Sequence, residues 1–158
     1  MDPGKLFVDG RLTGFCVYCG GAPSTRDHVP SKILLDDPYP PQLPVVAACN
    51  SCNASFSKDE QYVACLIACV LSGSADPDGI RRERIRRTLA SNPALANRIG
   101  ESRRAIGEGE ISWDVESNRV RNVVLKLARG HTAYEVSVPQ LEEPISIGFV
   151  PLVAITYR

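Results

Sequence analysis

Two Cys-x-x-Cys pairs, Cys16 with Cys19 and Cys49 with Cys52, constrain this chain more than any other feature. Each pair presents two thiolates to one ion, and together they supply the four soft ligands of a closed tetrahedral zinc site. A redox Cys-x-x-Cys works without a second pair, so the doubled motif points to structural zinc. A site with four protein ligands has no open position. Such a zinc builds structure and leaves any chemistry to other residues. Cys65 and Cys69 lie in the apolar run "YVACLIACVL" and read as buried helix residues, where a free thiol behaves as a small hydrophobe.

The remaining bulk features set the class. The chain has 158 residues, 44% hydrophobic and 23% charged, as in a globular protein. No apolar run is long enough to span a membrane, and the start "MDPGKLFVDGRLTGF" lacks the pattern of a secretory signal. The expected location is cytoplasmic, where disulfides are disfavoured. Net charge is zero but uneven: residues 1–78 carry −4, residues 79–104 carry +6, and residues 105–158 carry −2. A neutral protein of this kind still offers one basic segment to a polyanion.

Two regions are expected: a zinc module over residues 1–74, and a helical and α+β extension over 75–158. "RDHVP" and "LPVVAAC" read as short strands, separated by the proline-rich loop "LLDDPYPPQLP". "SKDE" reads as a capping box, with Ser57 and Glu60 starting a helix that ends before "SGSADPDG". From Ile80 to Ile106 the pattern predicts two helices broken at Pro93, with Ile85/Leu89 and Leu95/Ile99 facing inward. "GEGE" is a turn and "ISWDV" a strand. "SNRVRNVVLKLARG" is a helix with Val120, Val123, Val124 and Leu127 on one side and Gly130 at its end. His131 then reads as a cap or surface residue. "AYEVSV" and "ISIGFVPLVAITYR" read as further strands.

Zinc closure folds Asp27 and His28 back toward Asn53, which follows Cys52 directly. Asp27 and Asn53 offer oxygen ligands to a hard cation such as magnesium, leaving His28 as a general base near neutral pH. That set suits phosphodiester hydrolysis. Taken singly, Asp27 and His28 make an ordinary polar turn and Asn53 a helix cap. Their joint placement around a zinc module favours chemistry. Glu60 is more ambiguous: the capping box already explains it, and a metal role is the less favoured alternative.

The order C-x-x-C, Asp-His, C-x-x-C-Asn resembles the zinc-containing branch of the HNH endonucleases over residues 13–72. The resemblance implies an α+β, zinc-stabilised ββα-metal fold, with Cys16, Cys19, Cys49 and Cys52 on the structural zinc. It further implies that His28 activates water, and that Asp27 and Asn53 ligate a catalytic magnesium or manganese ion. One position departs from the family pattern. Pro44 stands where many members carry a middle asparagine that pins the loop behind the histidine.

Arg81, Arg82, Arg84, Arg86 and Arg87 crowd seven positions and flank the Ile85–Leu89 stripe on both sides. Guanidinium groups suit phosphate oxygens, so these arginines are the expected contacts to a DNA backbone, without a motif for sequence readout. Two functions follow. One is a metal-dependent endonuclease centred on Asp27, His28 and Asn53. The other is a non-catalytic, zinc-stabilised nucleic-acid-binding module, favoured by Pro44.

Overall fold

The computed structural model describes residues 10–107 and 109–148. These form a mixed α+β structure of four helices and two small antiparallel sheets. β1 (Thr25–His28) pairs with β2 (Val45–Ala48), with Asp27 opposite Val46 and His28 opposite Val45. α1 (Asn50–Ser72) leaves β2 after one residue. α2 (Glu83–Ser91) and α3 (Pro93–Glu101) follow, then β3 (Arg103–Ala105) against β4 (Ile111–Trp113), and finally α4 (Ser117–Val136). No helix among the described residues is long and apolar enough to cross a membrane.

β1, β2, β4, the proline-rich connection and the helix break at Pro93 match the sequence pattern. α3 starts with Pro93 in its first turn, and the Asn92 side chain accepts from the Leu95 N–H at 3.1 Å. Four expectations are corrected. α1 starts seven residues before Ser57, because the Cys49 sulfur accepts from the Cys52 N–H at 3.4 Å and caps the helix there. Ser57 and Glu60 are therefore interior helix residues. "RRA" at 103–105 is a strand and not the end of a helix, since the glycine turn that follows folds it onto β4.

The other two corrections concern α4. It does not stop at Gly130 but continues to Val136, closed by Ser137 in the left-handed conformation at φ 55°. "AYEVSV" is thus mostly helix, with Ala133 buried in the core. His131 lies within the helix. Of the last expected strand, residues 145–148 are irregular and residues 149–158 lie outside the described residues.

Two apolar clusters hold the structure. The second half of α1, with Tyr62, Cys65, Leu66 and Cys69, packs on Ile85, Leu89, Leu95 and Ile99 of α2 and α3. The first half packs Phe56 against Val17, Tyr18, Val29, Val46, Ala48 and Ala133. Burial raises the Cys65 and Cys69 thiols to about 12 and about 11, which keeps them unreactive. α4, within the expected 75–158 extension, lies along α1 of the expected 1–74 module. Asp59 accepts from Arg119 at 2.9 Å and from Asn122 at 2.7 Å, and the Glu116 N–H at the start of α4 donates to the Tyr62 hydroxyl at 2.9 Å.

Candidate metal centre and nucleic-acid interface

The first cysteine pair sits in a tight turn. Gly20 donates its N–H to the Cys16 carbonyl at 2.8 Å with φ 76°, a conformation that favours glycine. Val17 N–H donates to the Ala47 carbonyl at 3.0 Å, and Ser24 N–H to the Ala48 carbonyl at 3.0 Å. These bonds fasten the turn to β2, which delivers the second pair at the start of α1. The four sulfurs lie within 4.8 Å of one another, with Cys19 and Cys49 at 3.8 Å. Zinc–sulfur bonds of about 2.3 Å in a tetrahedron put sulfurs about 3.8 Å apart. The cluster can hold a zinc ion.

The local electrostatics favour thiolates at one end of the cluster. The Ser51 hydroxyl and the Cys52 N–H at the helix start bring the Cys49 thiol down to about 6. Burial pushes the Cys16 and Cys52 thiols upward.

Asp27 and His28 lie next to one another in β1 and therefore point to opposite faces. Asp27 faces inward and is 6% exposed. Its Oδ2 accepts from the Tyr18 hydroxyl at 2.7 Å and lies 2.8 Å from the Lys126 ammonium, which also reaches Oδ1 at 3.1 Å. Glu60 of α1 closes the other side of the same ammonium. Lys126, from α4, has no exposed side-chain surface. Burial raises the Glu60 carboxyl above its usual range, and Tyr18 is pushed far upward by burial and the neighbouring Asp27 charge.

His28 faces the other way. It lines an open pocket of about 490 Å³ together with Arg26, Lys32, Tyr39 and the loop prolines Pro40 and Pro41. Burial, then the nearby Lys32 charge, lowers its basicity below the ordinary imidazole value. Its Nδ1 is buried and has no hydrogen-bond partner. Pro44, in the place of the family's middle asparagine, contributes its carbonyl, which accepts from the Val29 N–H at 2.9 Å just behind His28. Asn53 uses its amide N–H to bond the Arg26 carbonyl at 3.3 Å, tying α1 to β1.

The arginines divide. Arg82 turns inward, with its guanidinium on the Ile33 carbonyl at 3.1 Å, the Leu35 carbonyl and the Asp36 carboxylate. Arg81, Arg84, Arg86 and Arg87 are exposed, the last two sharing Glu83. Arg84 donates to the Tyr39 hydroxyl at 3.2 Å, and the Lys32 ammonium stands 5.4 Å above the Tyr39 ring. The basic helix thereby reaches the rim of the His28 pocket.

Sequence reasoning missed Lys126, Tyr18, Arg26, Lys32 and Tyr39. Arg26 had a signal: it lies two residues before His28 on a strand, hence on the same face. No protein-family model, curated protein or solved structure matches the chain.

Proposed function

We propose that this chain is a nuclease of the HNH class that hydrolyses DNA phosphodiester bonds with His28 as general base. The observation supporting it is the pocket in which His28 stands beside Arg26 and Lys32, on a strand fastened to the four-cysteine cluster. Two cations suited to phosphate oxygens and one base are the groups that backbone hydrolysis uses. With Nδ1 buried, Nε2 is the nitrogen left to take a proton from water as the water oxygen attacks phosphorus and the bond to the leaving sugar oxygen breaks. The exposed arginines of α2 extend the positive surface along a DNA backbone.

The resemblance also assigns a magnesium or manganese ion to Asp27 and Asn53, and here the residues do not fit. Both Asp27 oxygens are engaged by Lys126, and Oδ2 also by Tyr18. The same observation favours the second reading, a non-catalytic binding module in which the pocket and arginines hold DNA without cutting it.

Nicking of supercoiled plasmid by the zinc-loaded chain, with and without magnesium or manganese, tests the proposal. His28→Ala is expected to lower the rate by about 10²–10⁴-fold with zinc content and DNA affinity unchanged. Equal nicking by wild type and His28→Ala would remove the catalytic assignment. If wild type binds DNA without nicking it, and reversal of Arg84 and Arg87 flattens the salt dependence of binding, the binding module stands instead.

A further inference from the structure

Asp27 and Glu60 are carboxylates on two different elements, both buried, and both turned toward one ammonium group. The ammonium arrives from α4, outside the 13–72 stretch that resembles the HNH module. Its stem is fully enclosed, and the Phe56 ring lies 5.5 Å from Nζ. Val123, Gly130 and Ala133, on the same helix, are buried alongside it, so the lysine cannot withdraw without shifting α4. A magnesium or manganese ion needs oxygen donors near 2.0–2.1 Å and usually keeps several waters, roughly octahedrally arranged. An alkylammonium already bonded to three carboxylate oxygens leaves neither the donors nor the room, and it adds like-charge repulsion.

We infer that Lys126 is an internal counter-cation that closes the Asp27–Glu60 pair to divalent ions. The pair then serves as an anchor for α4 and not as an ion site. This holds whether or not His28 hydrolyses a phosphodiester, and the test reads metal uptake without reading activity.

The zinc-loaded full chain is titrated with manganese alone, following the free-ion signal by electron paramagnetic resonance and the melting temperature in parallel. Wild type and Asp27→Asn are expected to take up equal, negligible manganese. Lys126→Met is expected to gain one manganese per chain with a melting temperature that rises with manganese, a gain lost in Lys126→Met/Asp27→Asn. Manganese uptake by wild type that disappears in Asp27→Asn overturns the inference, as does a folded Lys126→Met that binds none. Should Lys126→Met not fold, the wild-type and Asp27→Asn pair decides alone. Equal uptake sustains the closure, and Asp27-dependent uptake ends it.

Discussion

The two ends of the β1–β2 hairpin solve the same electrostatic problem in opposite ways. At one end four sulfurs gather within 4.8 Å and can hold a zinc ion from outside. At the other, two buried carboxylates gather around a lysine that the chain supplies itself. An anionic cluster depends on an outside cation only where the fold provides none. Acidic or sulfur ligands alone therefore do not identify a metal site; the whereabouts of the nearest ammonium matters equally.

The comparison breaks most severely at the cysteine end. Cys49→Ser removes one candidate zinc ligand while leaving a hydroxyl able to cap α1 in place of the sulfur, and structural zinc binding is coupled to folding. The expected outcome is loss of the bound zinc and several kcal/mol of stability, checked by elemental analysis and denaturant unfolding. Zinc retained at one per chain in Cys49→Ser would remove Cys49 from the ligand set.

At the other end, Lys126→Met is expected to cost about 3–5 kcal/mol, because it strands two buried carboxylates. Neutralising them as well, in Asp27→Asn/Glu60→Gln/Lys126→Met, should recover much of that loss. A triple variant no more stable than the single one would show that the lysine acts through packing and not charge.

A smaller effect sharpens the same contact surface. A Cβ on Gly130 would meet Val29 Cγ2 at 2.6 Å and Cγ1 at 2.8 Å. Valine is branched and stiff, so Gly130→Ala should cost about 1–3 kcal/mol by overpacking, despite alanine's better helix propensity. Chemical denaturation of the variant measures it, and Gly130→Ala/Val29→Ala should restore part of the loss.

These residues also show what was legible in the sequence. The cysteine spacing, the two strands and the break at Pro93 are local patterns, and local patterns survive folding. Gly130 looked like a helix stop, because glycine usually is one, yet it is glycine here to admit Val29. Val124 belonged to the expected apolar stripe but is exposed, while Val123, Lys126, Gly130 and Ala133 form the buried face. A stripe containing lysine and glycine has no hydrophobic period to detect. Lysine is almost never fully buried unless paired, and its partners lie on distant elements. Asp27 and His28 were read as one catalytic unit, whereas strand alternation sends them to separate faces. That much was available from the period of two alone.

The Lys126–Asp27 contact joins residues 99 positions apart. During synthesis both cysteine pairs, both strands and α1 leave the ribosome well before α4 does. Until then Asp27 and Glu60 face an unfilled gap and remain hydrated, because a buried carboxylate without a partner is unfavourable. The hairpin and cysteine cluster can assemble early from nearer contacts, but the inner face of β1 seals only when α4 docks. Such long-range closure is slow relative to local structure. Chain order alone therefore makes the acidic seam the late-closing one, since it waits on a lysine 99 positions downstream of Asp27.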